Sequence, residues 1–152
     1  MPADAPMHAR SCNCLALRQA ARHVTQFYDQ HLAATGLRTT QFSILAKLKG
    51  FGPMTINALA RELVMDRTTL GRTMLPLERD GLIRVEDSAL DRRSKELHLT
   101  KAGAERLRAA AKLWKEAQNR FEEAFGSERA SSLRTELRAL VSSDLGMRAQ
   151  PS

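Results

Sequence analysis

Two short stretches of the chain concentrate side chains that can bind base edges and phosphates. The first follows Asp66 and carries Arg67, Thr68, Thr69 and Arg72, and the second carries Arg92, Arg93 and Lys95. Arginine can donate two hydrogen bonds to a guanine edge, while threonine and lysine reach bases or phosphates. This chemistry is typical of recognition of double-stranded DNA.

The first stretch is expected to open a helix. Asp66 is a good N-cap, because its carboxylate can accept hydrogen bonds from the free amides of the first turn. Leu70, Met74 and Leu77 follow at spacings of four and three, which gives the helix one apolar face. The cations and threonines then face outward at the helix N-terminus, the end that enters the major groove in helix-turn-helix proteins. An ordinary solvated helix face is the alternative.

The second stretch is expected to be the loop of a β-hairpin. Residues 82–86 contain β-branched side chains and alternate from Ile83 to Glu86, and residues 96–99 alternate again after a polar segment, which predicts two strands. The loop carries three cations, which could reach the minor groove or the phosphates beside the helix. Asp91 is expected to hold a neighbouring arginine in place.

A short amphipathic helix over residues 56–63, capped by Thr55, precedes the Asp66 helix and completes a helix-turn-helix. The candidate DNA-binding residues are Thr55, Arg67, Thr68, Thr69, Arg72, Asp91, Arg92, Arg93 and Lys95.

Residues 91–100 resemble the wing signature of MarR-type (multiple antibiotic resistance regulator) transcriptional regulators, in which Asp-x-Arg is followed by Leu-x-Leu-Thr. Residues 37–45 and 77–83 resemble the second helix and the helix-to-wing junction of that family, and the similarity runs in order over about residues 15–145. The resemblance implies a mainly α fold (α+β) with a small β-hairpin wing: a winged helix-turn-helix flanked by N- and C-terminal dimerisation helices. Pro76 departs from the family pattern, and a bend late in the helix is expected there.

Apolar stripes define the remaining helices. They are expected from about Asn13 to Ala34, from a Thr39 or Thr40 cap to a stop at residues 50–53, from a Thr100 cap to Gly126, and from Ser127 through Leu145. The first stripe consists of Leu17, Ala21, Val24, Tyr28 and Leu32. An intramolecular bundle could bury these faces, but we favour a two-fold homodimer, which also places two recognition helices one DNA turn apart.

The expected organisation is a flexible N-terminal arm (1–12), a single MarR-like domain (13–145) and a flexible tail (146–152). Within the domain, the winged helix-turn-helix covers about 40–100 and the dimerisation helices about 13–34 and 101–145. The net charge of +7 suits a phosphate-rich partner, although residues 55–100 carry eight basic and eight acidic residues. The sequence shows neither a targeting signal nor an apolar run that could span a membrane, so a cytoplasmic protein is expected.

These observations predict a sequence-specific transcriptional regulator, namely a repressor that a small molecule releases from a pseudo-palindromic operator. The MarR resemblance implies a ligand crevice, often used for small aromatic or phenolic acids. Candidate lining residues are Tyr28, His31, Phe42 and Trp114, with Arg22 as a carboxylate partner, although packing alone would also explain each of them.

Cys12 and Cys14 allow a second interpretation, a regulator that senses oxidants or a soft metal ion through these thiols. Their two-residue spacing matches no common zinc pattern, and a purely structural role as small, partly buried residues near a helix cap is the stronger interpretation. An architectural protein that binds DNA without sequence preference is another alternative. The sequence has no phosphate-binding glycine loop, metal-ligand cluster or paired nucleophile and base, so we expect neither an enzyme nor a cofactor or metal site.

Overall fold

The computed structural model describes residues 8–147 of the chain. Most of the two predicted flexible ends, residues 1–7 and 148–152, lies outside the described residues. Within the described part the elements are α1 (His8–Ser11), α2 (Asn13–Leu32), a 3₁₀ turn (Ala33–Thr35), α3 (Thr39–Phe51), β1 (Met54–Thr55), α4 (Ile56–Leu63), α5 (Arg67–Arg79), β2 (Ile83–Asp87), β3 (Lys95–Leu99), α6 (Lys101–Phe125) and α7 (Ser127–Ser142). The predicted mainly α fold with a small hairpin is confirmed, while α1 lies within the segment expected to be an arm.

The three strands form one antiparallel sheet in the order β1-β3-β2. Leu97 lies at its centre, opposite Met54 on one side and Val85 on the other, and its side chain is fully buried. Both hairpin strands were predicted from alternation. β1 was not predicted, because two residues are too few to show a period.

One hydrophobic core lies beneath the sheet and joins it to helices α3, α4 and α5 and the first half of α6. The predicted inner face of α5 is confirmed, because Leu70, Met74 and Leu77 are all buried in this core. The outward face of α5 is therefore determined by its apolar spacing. The helix continues through Pro76 to Arg79.

Three helix caps were predicted and are present: Thr55 for α4, Asp66 for α5 and Thr100 for α6. The predicted cap of α3 at Thr39 or Thr40 is wrong, because Thr39 is already the first helical residue. The N-cap is Arg38, whose amide donates to Gln41 at 3.0 Å, and Asp29 of α2 adds a distant cap by accepting hydrogen bonds of 2.7 Å from both the amide and the hydroxyl of Thr39. A cap supplied from ten residues away leaves no local sequence signal.

The chain divides into two compact units, with the boundary between Lys115 and Glu116 inside α6. The first unit contains the sheet and its core. The second contains the end of α6 and α7, where Arg134 pairs with Glu122 at 3.4 Å. The last helix was expected to include Leu145, but α7 ends at Ser142 and Leu145 is exposed. No helix among the described residues is long and apolar enough to cross a membrane.

A close backbone contact positions the wing relative to α5. The Thr100 hydroxyl donates to the Gly81 carbonyl at 2.6 Å and accepts from the Gly103 amide at 3.0 Å. The Thr100 amide donates to the Leu82 carbonyl at 3.2 Å. A Cβ atom built on Gly103 would lie only 2.0 Å from the Leu82 carbonyl oxygen, so only glycine fits at this position. The start of α6 is thus locked against the junction of α5 and β2.

Replacing Gly103 by alanine should lower the free energy of unfolding by about 1–3 kcal/mol, because the backbone must move apart to admit the methyl group. Urea denaturation followed by circular dichroism would measure the change. Gly50→Ala is the matched control, since a Cβ there meets nothing within 4 Å and alanine favours a helix by up to about 1 kcal/mol over glycine. Equal stability of the Gly103→Ala variant and the wild type would refute the close-contact interpretation.

Candidate nucleic-acid interface

A tight turn sets the angle between α4 and α5. The Met65 amide donates to the Ala60 carbonyl at 2.9 Å, and the Val64 amide donates to the Arg61 carbonyl at 3.2 Å. These two bonds form a Schellman motif, which requires a left-handed residue after the helix. Val64 fills that position with a φ of 53°, which is rare for a β-branched residue. The partly buried Met65 then packs against the core.

The N-terminus of α5 is fixed by two hydrogen bonds from Thr69 to the Asp66 carboxylate. Asp66 accepts from the Thr69 amide at 2.8 Å and from the Thr69 hydroxyl at 2.7 Å. The hydrogen bond from the hydroxyl, and to a smaller extent the one from the amide, holds the pKa of Asp66 below its ordinary value. The cap therefore persists through neutral pH and weakens only when acid protonates Asp66. Because its proton points to Asp66, the Thr69 hydroxyl is left to act as an acceptor.

The outward face of α5 is open. Arg67, Thr68 and Arg72 are exposed on it, as the sequence predicted. Gly71 lies among them, and a Cβ placed there would meet nothing within 4 Å. The fold itself therefore does not need a glycine at this position, and the gap lets another molecule approach the helix backbone.

The wing loop is closed by hydrogen bonds to Asp91. Asp91 was expected to hold a neighbouring arginine in place. It accepts from the Arg93 amide at 3.0 Å and from the Ser94 hydroxyl at 3.3 Å, while its own carbonyl accepts from the Ser94 amide at 3.0 Å. A short aspartate side chain reaches a backbone amide two residues ahead more easily than a guanidinium. Asp91 therefore fixes Arg93 through the backbone and leaves the guanidinium free to extend.

Helices α4 and α5 and the wing meet around a cleft of about 140 Å³. Its lining residues are Thr55, Ile56, Asn57, Arg67, Arg93, Ser94 and Lys95. This volume is well below the roughly 300–1,000 Å³ of a drug-sized ligand site, whereas a phosphate group is small enough to enter. Four predicted DNA-binding residues are thus brought together. Asn57 and Ser94 were not predicted: only the fold shows that Asn57 lies near the arginines, whereas Ser94 directly follows Arg93 in the sequence.

Ion pairs away from the tips explain how a segment with no net charge can still present unpaired cations. Arg84 pairs with Glu86, Arg79 pairs with Asp80, and Lys95 pairs with Asp87. The hydrogen bond from Arg84 is the largest cause of a lowered pKa at Glu86. Among residues 8–147, no ion pair engages the four arginines at the tips, which are Arg67, Arg72, Arg92 and Arg93.

The candidate ligand-lining residues belong to two aromatic groups. Phe42 of α3 stacks on Trp114 of α6, with ring centroids 6.0 Å apart and planes at 17°. Phe27, which was not predicted, lies between the rings of Tyr28 and His31, and the His31 Nδ1 atom lies 2.9 Å from the Phe27 carbonyl oxygen. Arg22 is exposed on α2. A ligand site at these residues stays a prediction.

Both cysteines are exposed at the start of α2. Cys12 is the N-cap of the helix, and its Sγ atom accepts from the Leu15 amide at 3.3 Å. Within the described part of the chain, no three histidine, cysteine or acidic side chains are arranged to hold a metal ion.

Sequence comparison identifies relatives of this chain. A sequence profile of the MarR family matches residues 37–95. The transcriptional activatory protein BadR of Rhodopseudomonas palustris is 32% identical over 104 residues, which cover 66% of this chain and 59% of BadR. A second curated relative is matched over 61% of its length, so the chain spans about three fifths of the curated relatives it matches.

Solved structures match over more of their length. The transcriptional regulator MOSR of M. tuberculosis, solved in complex with DNA, is 36% identical, with a TM-score of 0.77 over 86% of this chain and 93% of that chain. The transcriptional repressor CouR, solved bound to a 23-mer DNA duplex, is 27% identical, with a TM-score of 0.78 over 88% of this chain and 95% of that chain.

Replacing Arg93 by alanine should weaken duplex binding about tenfold and reduce the slope of log K against log salt by about one, because one phosphate-neutralising cation is lost. Fluorescence anisotropy at several salt concentrations would measure both quantities. Arg108→Ala removes an exposed arginine from α6 and serves as the control. If both variants bind alike, Arg93 makes no wing contact.

Proposed function

The chain belongs to the MarR family of transcriptional regulators, and from this premise we propose that it is a homodimeric repressor that a small molecule releases from a pseudo-palindromic operator. Members of the family are DNA-binding regulators rather than enzymes. The observation that carries the proposal is the cleft in which Thr55, Arg67, Arg93 and Lys95 converge from α4, α5 and the wing.

Exposed apolar faces support a dimer. In the second unit, Leu133, Leu137 and Leu140 are spaced by four and three along α7, and each is 37–39% exposed. In the first unit, the early part of the α2 stripe is exposed at Leu17 and Ala21. Apolar stripes of this kind mark protein interfaces. A two-fold partner would cover it and place two copies of α5 on successive turns of the major groove.

Repression follows from occupancy, because a dimer bound across promoter DNA excludes the polymerase. The similarity to CouR, a transcriptional repressor solved bound to DNA, supports repression rather than activation. Release requires a ligand that binds the free form more tightly than the DNA-bound form. The Phe42–Trp114 pair and the rings around Phe27 offer flat apolar surfaces suited to a small aromatic acid, with Arg22 as its carboxylate partner.

The test is a fluorescence-anisotropy titration on the duplex upstream of the protein's own gene, beside a scrambled duplex at the same salt. We expect at least a thousandfold preference for the upstream duplex, in the range of specific DNA-binding proteins, with two protomers bound per site. Equal weak binding to both duplexes, with the same salt slope, would favour an architectural protein. One protomer per site would contradict the dimer.

A redox-responsive regulator is the second candidate function, favoured by the position of Cys12 as the exposed cap of α2. A hydroperoxide would oxidise the Cys12 thiolate to a sulfenic acid, and its second oxygen would leave as hydroxide or alkoxide. A second cysteine thiol would then attack the sulfenic sulfur, forming a disulfide, and its proton would leave with the hydroxyl group as water. The disulfide would replace the thiol that now caps the helix.

If this candidate is correct, peroxide should weaken operator binding by the wild type, and a dithiol reductant should restore it. Changing both Cys12 and Cys14 to serine should abolish the response while keeping binding, because serine is itself a good N-cap. Anisotropy before and after peroxide treatment would measure the effect. A wild type that binds equally well after oxidation would eliminate the redox candidate and leave the small-molecule proposal standing.

A further inference from the structure

Leu90 is the most exposed large apolar side chain among the described residues, with 98% of its surface open to solvent. Single exposed leucines are common on proteins, so exposure alone has no functional meaning. The residues around Leu90, however, indicate a function. It lies at the tip of the wing, directly before Asp91 and the two unpaired cations Arg92 and Arg93.

Hydrogen bonds on both sides of Leu90 order the loop that carries it. Ser88 is buried, and its amide donates to the Ser94 carbonyl at 2.9 Å. The Ser88 hydroxyl in turn accepts from the Leu90 amide at 3.3 Å. On the other side, Asp91 closes the turn through the amide of Arg93. An ordered backbone therefore presents Leu90 outward and lowers the entropic cost of placing it against another surface.

The two arginines indicate what that surface is. Arginine is attracted to the negative potential of a narrow minor groove, and proteins that bind there often insert an apolar wedge between base steps. A leucine beside two free guanidinium groups has the chemistry of such a wedge. A protein partner would instead call for a wider apolar patch, whereas the residues that follow Leu90 are charged.

We propose that Leu90 is a specificity-determining residue that inserts into the minor groove at the wing contact. This inference rests on the proposed DNA-binding function and adds to it. The arginines supply affinity that depends on salt, while Leu90 supplies an apolar contribution that does not. Flexible pyrimidine–purine steps, which open most easily, are then preferred beneath the wing tip.

The experiment compares the wild type with Leu90→Ala on the tightest-binding duplex selected from a random library. We expect the variant to bind about tenfold more weakly, as the loss of a few buried methylene equivalents implies. Its slope of log K against log salt should stay unchanged, because no counterion is released at an apolar contact. Met147→Ala, which removes another highly exposed apolar side chain, should bind like the wild type.

A second probe tests the groove directly. Replacing adenine by 2,6-diaminopurine adds an amino group to the minor groove without changing the major-groove edge of the pair. This change beneath the wing should weaken the wild type several-fold and leave Leu90→Ala unaffected. Equal binding of both proteins to the unmodified duplex, a changed salt slope, or equal losses on the modified duplex would each overturn the proposal.

These results are distinguishable from failure of the proposed function. If the wild type selects no sequence and binds all duplexes alike, the regulator proposal itself fails. If the wild type selects a duplex and Leu90→Ala binds it equally well, only the wedge is refuted. Thermal denaturation of the variant should match the wild type, because Leu90 makes no contribution to the buried core.

Discussion

The contact between the first turn of α6 and the α5–β2 junction determines where the wing lies relative to the recognition helix. Its components are the Thr100 hydroxyl, which bonds to Gly81 and Gly103, and the absence of a side chain at Gly103, which lets the Leu82 carbonyl approach. Apolar burial is non-directional, so by itself it would not fix the exact position of the hairpin. Hydrogen bonds to backbone atoms fix its position, so the arginines of α5 and of the wing reach one cleft.

Within that framework, two acidic residues order the backbone of the proposed DNA-binding surface. Asp66 and Asp91 both lie next to arginines, yet each directs its carboxylate at a backbone amide and a hydroxyl. These bonds satisfy groups that would otherwise be exposed at a helix end or a turn. Within residues 8–147, the neighbouring guanidinium groups form no ion pair. A segment with equal numbers of acidic and basic residues can therefore still direct positive charge at a partner.

Local patterns predicted the elements whose causes are local. The spacing of Leu70 and Leu77 predicted the inner face of α5. The capping residues Asp66 and Thr55 predicted where two helices begin, and the alternation of apolar and polar residues predicted the hairpin. Contacts between distant residues were beyond reach: β1 forms only because Met54 meets Leu97, and Asp29 caps α3 from another helix. Asp91 was expected to hold a neighbouring arginine, and only the folded loop shows that it does so through the backbone amide of Arg93. Asn57 and Arg93 line the same cleft, but they are far apart in the sequence, so only the folded structure shows that they are neighbours.

Exposed apolar side chains occur in two different settings, and the setting decides what they mean. Along α7 several leucines form a continuous stripe, which buries useful area only against another broad apolar surface. On the wing a single leucine stands among cations, where a broad apolar partner would leave the arginines unpaired and desolvated. A groove lined by phosphates on its rims and by sugars and bases on its floor satisfies both kinds of side chain at once. The same physical property, apolar surface in water, therefore supports the proposed protein partner along α7 and the proposed DNA contact at the wing tip.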